Sequence, residues 1–236
     1  LTPVIGFMGY LKMQDFAATN QNADALPILG GEHPRGFYAS FGKRVFDITA
    51  VLCAAPLVLL LVVPLMLLIA RDGGSPFYTQ MRIGRNGKEY RMWKLRSMVV
   101  GADEKLAQYL AENPDAKAEW DQTQKLKSDP RITTVGRLIR KTSLDELPQL
   151  WNVLIGEMSL VGPRPMMPCQ KRLYPGQDYY DLRPGITGAW QVSERNESFF
   201  SDRASYDSSY KSNLSAKTDA LILFKTVGVV CKATGH

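Results

Sequence analysis

Residues 140–152 read Arg-Lys-Thr-Ser-Leu-Asp-Glu-Leu-Pro-Gln-Leu-Trp-Asn. Asp145 and Glu146 are adjacent carboxylates with Arg140 and Lys141 close by in sequence. Such a pair can hold a hard divalent ion such as Mg²⁺ together with phosphate oxygens. The same residues also admit a plain structural reading. Ser143 to Glu146 fits a capping box, and two acids at a helix start favour the helix dipole. Pro148 separates the variants of that reading. With Ser143 as the N-cap, Pro148 collides with the carbonyl of Leu144; with Asp145 as the N-cap, Pro148 falls in the first turn, where no donor is missed. Two further features could bind an anion. Six basic residues (Arg82, Arg85, Lys88, Arg91, Lys94 and Arg96) lie against one acid, Glu89, over fifteen positions. Gly162-Pro-Arg-Pro165 is a rigid turn that presents Arg164, a side chain suited to bidentate phosphate contact or to pairing with a nearby acid.

Other chemistries are excluded by composition. The chain has 236 residues, 45% hydrophobic and 22% charged, with a net charge of +6. Its two histidines are His33 and His236, so Ser-His-Asp triads and histidine metal motifs have no material. Cys53, Cys169 and Cys231 share no C-x-x-C spacing, against a disulfide framework or a cysteine zinc site. Catalysis has to rest on carboxylates, cations or a carboxylate-held metal, which suits phosphoryl transfer. No helix-turn-helix, zinc-finger or RNP pattern accompanies the basic run, so no nucleic acid is expected as partner. Anionic lipid or an anionic substrate fits the charge better.

The elements that must position these residues begin with an apolar segment. Ile48 to Ala70 is 23 residues without a charge. As a continuous helix it would be about 34 Å long, enough for a hydrocarbon core of roughly 30 Å. Pro56 and Pro64 each remove a backbone donor from it. Lys43 and Arg44 precede it and Arg71 follows, so the positive-inside rule selects no orientation. A tilted single span and a helix that breaks near Pro56 and returns both satisfy this pattern. Residues 1–42 have no sustained period and read as a loosely ordered tail; 43–71 is the membrane element, and 72–236 the remaining domain. Phe77 to Met98 reads as a β-hairpin around Asn86-Gly87. Helices are predicted over Ala102–Asn113, from Ala116 towards Lys125, over Thr133–Lys141, over Leu147–Leu154 and over Thr218–Cys231. The prolines and glycine between Leu160 and Pro168 exclude regular structure, and Arg183-Pro184-Gly185 is a turn signal.

Four long motifs occur in one order: KRVFD (43–47), GSPFYTQMRIGRNGKEYRMWKLRSM (74–98), DPRITTVGRLIRKTSLDELPQLWNVLIGEMSLVGPRP (129–165) and RPGITGAWQV (183–192). In these the chain resembles the bacterial sugar transferases, the polyprenyl-phosphate hexose-1-phosphate transferases that are monotopic phosphoglycosyl transferases. It is most similar to short exopolysaccharide-initiating members. The resemblance implies an α+β, mostly helical protein with a proline-broken re-entrant helix, a small hairpin and interfacial amphipathic helices. It implies transfer of galactose- or glucose-1-phosphate from a UDP-hexose to undecaprenyl phosphate with release of UMP. Asp145 is then the nucleophile, Glu146 joins it in holding Mg²⁺, and Lys94, Arg140, Arg164 and Arg195 neutralise phosphates. The break falls at Ala55-Pro56, where the family commonly has Ser-Pro. The catalytic domain faces the cytoplasm at the bacterial inner membrane, with membrane lipid as a partner and a homodimer as a candidate assembly. Two rivals remain: a catalytically silent membrane scaffold and a carboxylate–Mg²⁺ phosphohydrolase.

Overall fold

The computed structural model describes residues 36–123, 126–193 and 200–231. They fall into two compact units, one over Met98–Thr133 and the other built from the described parts of Gly30–Ser97 and Thr134–His236. In the first, α2 (Ala102–Glu112) and α3 (Pro114–Thr123) follow each other at Asn113. Pro114 opens the second helix at a position where its missing N–H costs nothing. Leu106 and Leu110, one turn apart, are buried. The chain ends of this unit are tied by Val99 N–H to the Arg131 carbonyl at 2.9 Å.

The second unit carries the longest helix, α1 (Lys43–Ala70), which contains both Pro56 and Pro64; Tyr38–Gly42 leads into it as a turn of π-helix. From Tyr38 to Ala70 it is long and apolar enough to cross a membrane. Its burial follows a helical stripe. Val51, Val62 and Ile69 are buried, with Val58, Leu65 and Met66 partly covered between them. Leu52, Leu57, Leu59, Leu60, Leu61, Val63, Leu67 and Leu68 are exposed, Leu60 by 70%. At about 1.5–3 kcal/mol for each such side chain left in water, this is a surface that requires an apolar medium.

Both ends of α1 are fixed to the same unit. At its start, Lys43 Nζ lies 2.7 Å from Asp219 Oδ2, which also accepts from the Tyr38 hydroxyl at 2.6 Å. The Tyr210 hydroxyl donates to the other oxygen of Asp219 at 2.6 Å. Asp47 accepts from the Leu160 N–H at 3.1 Å, and Arg44 donates to the Leu154 carbonyl at 2.6 Å. At its end, Arg96 donates to the Ile69 carbonyl at 3.0 Å and forms an ion pair with Asp72.

The predicted hairpin is present. Strands β1 (Phe77–Ile83) and β2 (Glu89–Leu95) pair antiparallel, with Asn86 and Gly87 both at positive φ in the turn. Strand alternation divides the basic run between two faces. Arg82 lies opposite Tyr90, and Lys94 opposite Tyr78, all on one face; Arg91 and Leu95 belong to the other. Leu95 packs with Val62, Ile69 and Ile139 of α4 (Thr134–Lys141). Tyr90 and Met92 pack with Val51, Val153 and Met158, which brings in α5 (Gln149–Ile155).

The region read as irregular between Leu160 and Pro168 instead starts with a strand. β3 (Ser159–Val161) pairs in parallel with β4 (Gly185–Thr187). Beyond it, α6 (Asp178–Asp181), α7 (Arg203–Ser212) and α8 (Ala216–Cys231) complete the unit. The pairing continues past β3 because Gly162 N–H reaches the Thr187 carbonyl at 2.9 Å and Gly185 N–H the Pro163 carbonyl at 2.8 Å. Glycine permits this approach: a Cβ on Gly188 would overlap the Gly162 carbonyl oxygen, and one on Gly185 the Gly162 nitrogen. Gly188→Ala is therefore expected to lower stability by about 1–3 kcal/mol in denaturant unfolding of the detergent-solubilised protein. Gly228→Ala, on α8 with open space around it, should leave stability equal or higher.

Candidate active site

The two acids sit on a single 3-10 turn, Leu144–Glu146, between α4 and α5. Neither capping expectation holds. Ser143 is in the left-handed region (φ 57°) and makes no side-chain cap bond, while Pro148, not Asp145, precedes the first residue of α5. Packing explains the turn. Leu144 and Leu147 insert among Leu95, Ile139 and Val62, and the two residues between them are turned away from that cluster. Asp145 is nonetheless only 8% exposed.

Lys94 reaches the pair from β2. Its Nζ is 2.8 Å from Glu146 Oε1 and 3.5 Å from Asp145 Oδ2. The position of Lys94 is set by a residue that sequence reasoning missed. Asn152, fully buried on α5, accepts from the Trp93 N–H at 3.1 Å and donates to the Arg91 carbonyl at 2.8 Å. A side-chain amide thus continues the hydrogen bonding of β2 just before Lys94.

Burial pushes the Asp145 carboxyl above its ordinary range. Lys94 opposes that rise, Glu146 adds to it, and Arg140 opposes it in turn. Arg140 thus acts on Asp145 through its field. The cleft beside the acids is lined by Lys94, Glu146, Gln149, Arg164, Gln191 and Arg82. Lys94, Asp145, Glu146, Arg140 and Arg164 accordingly converge, whereas Arg195 lies outside the described residues. The sequence named Arg82 only as one of the basic run, and Gln149 was not singled out. The alternation of β1 carried a usable signal for Arg82, since it shares a face with Lys94.

Arg164 is held on the turn after β3. Arg82 donates to the Pro165 carbonyl at 3.2 Å, and Ile83 N–H to the Met166 carbonyl at 3.0 Å. The Tyr179 hydroxyl, fixed on the Ile83 carbonyl, braces the same loop. Ala55 and Pro56 lie within α1, with Pro56 on its exposed side.

Two carboxylates on one ammonium, beside a cleft with guanidinium groups, have the chemistry to take up phosphate oxygens. The sequence profile of the family described as bacterial sugar transferase matches residues 38–233. The chain belongs to that family. It is 51% identical over 197 residues to a UDP-galactose-lipid carrier transferase of Erwinia amylovora, covering 83% of this chain and 41% of that protein. It is 49% identical over 201 residues to an undecaprenyl-phosphate galactose phosphotransferase of Salmonella typhimurium, with the same coverage. It is 46% identical over 200 residues to the exopolysaccharide production protein ExoY of Rhizobium meliloti, covering 82% of this chain and 87% of that protein. The chain therefore spans well under half the length of the first two relatives and most of the third.

Among the described residues of this family member, no group of three or more metal-ligating side chains occurs. The Asp145–Glu146 pair fits an ion that takes its other oxygens from water and substrate phosphates, which is how Mg²⁺ is usually bound.

The raised pKa of Asp145 carries a stability consequence. The folded value lies above the unfolded one, so the ionised carboxylate costs stability at neutral pH, with the pull of Lys94 already included. That cost is absent below about pH 4, the ordinary carboxylate range, and grows as pH rises through the raised value. Asp145→Asn is expected to melt at a higher temperature than the unaltered protein at neutral pH. The two melting curves should converge at low pH, which differential scanning calorimetry can follow.

Proposed function

We propose that the chain transfers a hexose-1-phosphate, galactose or glucose, from a UDP-hexose to undecaprenyl phosphate and releases UMP, as the first membrane step of exopolysaccharide assembly. The observation that carries this reading is the buried Asp145 carboxylate, held beside Lys94 and Glu146 in a cleft shared with Arg164 and Arg82. The names of the relatives supply the galactose, the lipid carrier and the exopolysaccharide.

In the first step an Asp145 oxygen attacks the sugar-bearing phosphorus. The bond from that phosphorus to the bridging oxygen of UMP breaks, and UMP leaves with the electron pair. In the second step a phosphate oxygen of undecaprenyl phosphate attacks the same phosphorus, and the Asp145 carboxylate is regenerated. Lys94 offsets charge as the acyl phosphate forms. Arg140 keeps Asp145 ionisable, and Arg164 holds phosphate oxygens. Mg²⁺ held by Asp145 and Glu146 would neutralise charge on the diphosphate. Burial raises the proton affinity of Asp145, so its ionised carboxylate is more basic than an exposed one.

The membrane element follows the same reading. Val51 and Ile69 are anchored in one unit although roughly 27 Å of straight helix separates them. Both ends of α1 then lie on the cytoplasmic side of the inner membrane, and the segment is re-entrant with its bend at Ala55–Pro56. Exposed Trp151 and Ile155 of α5, and Leu221, Phe224 and Val227 of α8, suit contact with the lipid interface.

Intact-mass spectrometry of protein mixed with UDP-galactose or UDP-glucose, quenched before any lipid is added, should show one added hexose phosphate; Asp145→Asn should show none and should not turn over. Free sugar phosphate released without lipid acceptor would indicate a phosphohydrolase instead, and neither product would leave a scaffold. For topology, cysteines placed at Ser40 and Arg71, after replacing Cys53, Cys169 and Cys231 by alanine, should react with a membrane-impermeant thiol reagent from the same side. Labelling from opposite sides would establish a spanning helix.

A further inference from the structure

Next to the acids, the site has a second half made of guanidinium groups. Arg203, the first residue of α7, is stacked between two rings: its Cζ is 4.3 Å from the Trp190 centroid and 4.6 Å from that of Phe200. Arg164 lies over the same indole at 5.7 Å. Arg82 is fixed beside Arg164 by the Pro165 carbonyl and by Gln80 Oε1. The Nε atoms of both Arg82 and Arg203 are buried without an acceptor. Gln191 Oε1, an acceptor that lines the cleft with Arg82 and Arg164, is buried without a donor.

Three cations held this closely repel one another. Burial lowers the Arg203 pKa to about 10, with the charge of Arg164 as the next cause and that of Arg82 a smaller one. Arg82 is lowered in the same way, by burial and then by Arg164. Asp207, one turn along α7, opposes this only in part, because its own burial pushes it up to about 7. It also accepts from the Tyr174 hydroxyl at 2.7 Å. Lys94 is engaged by the two acids, so the cleft divides into an acid–ammonium half and an arginine half. A fixed array of cations with buried, unfilled donors is arranged for an anion of more than one charge.

We propose that Arg203, with Arg82 and Arg164, binds the nucleotide phosphate of the donor and holds the departing nucleoside monophosphate, while Lys94 and the acids handle the sugar-bearing phosphate. This rests on the reading of the donor as a UDP-hexose. The leaving phosphate gains a negative charge as the bridging bond breaks, so preorganised guanidinium groups at that end lower the barrier of the first step. In the second step the acceptor phosphate attacks opposite Asp145, in the place the nucleotide phosphate has left, so the same guanidinium groups face it there.

The test uses the full chain in nanodiscs, with UMP as the probe in isothermal titration calorimetry. Arg203→Gln should weaken UMP binding at least tenfold, and Arg203→Lys should recover part of that loss. Formation of the hexose phosphate adduct should slow at least tenfold in Arg203→Gln. UMP affinity within twofold of the unaltered protein would overturn the inference, as would adduct formation at an unchanged rate. A measurement without substitution guards against a variant that fails to fold. UMP should protect Arg203 from phenylglyoxal in the unaltered protein, read by peptide mass spectrometry, and absence of protection would overturn the inference. If UMP binding depends on Arg203 but no adduct forms with any UDP-hexose, the anion subsite stands and the proposed transfer fails. If the adduct forms and Arg203 has no effect on UMP, the transfer stands and the subsite fails.

Discussion

A carboxylate removed from water gains proton affinity unless a cation goes with it, and Asp145 enters the protein with Lys94 as its companion. Most of the second unit serves that meeting. The hairpin supplies the lysine, Asn152 holds its strand against α5, and the leucines flanking the acids fix the turn that faces it. The compensation is incomplete, since burial still outweighs the ammonium. The ionised carboxylate therefore costs some folding stability, in a site whose turn is held by the leucine cluster beside it.

The arginine half is held by a different kind of contact. The turn that carries Arg164 is fixed by main-chain bonds between β3, β4 and the segments after them, at glycines where no side chain would fit. Its position is set by backbone, braced by Tyr179 and by Arg82. The acids, in contrast, are placed by side-chain packing. The acids and Arg164 thus respond to different substitutions: volume changes in the leucine cluster bear on the acids, and added Cβ atoms at the glycines bear on the turn that carries Arg164.

Much of this was legible in the sequence, and the exceptions have physical causes. The hairpin turn, the apolar helix and the helices over 102–123, 134–141 and 216–231 follow local signals that tertiary structure left intact. The S-x-x-E pattern misled because Leu144 and Leu147 gain more from burial than Ser143 would from capping. The β3–β4 pair was hidden because prolines and glycines that usually end a strand here allow two backbones to meet. Arg82 was counted within a basic run, although its strand parity with Lys94 was readable. Arg203 offered no local signal, because its significance comes from Trp190, thirteen residues earlier in the chain.

The buried pair of Lys43 and Asp219 joins positions 176 residues apart. At a ribosomal rate of roughly 5–20 residues per second, the acid is made about 9 to 35 seconds after the lysine. During that interval the ammonium at the start of α1 has water or lipid headgroups for company. The start of the apolar helix is therefore made long before the carboxylate that clamps it, and the Lys43–Asp219 contact can only close once α8 has been synthesised and docked.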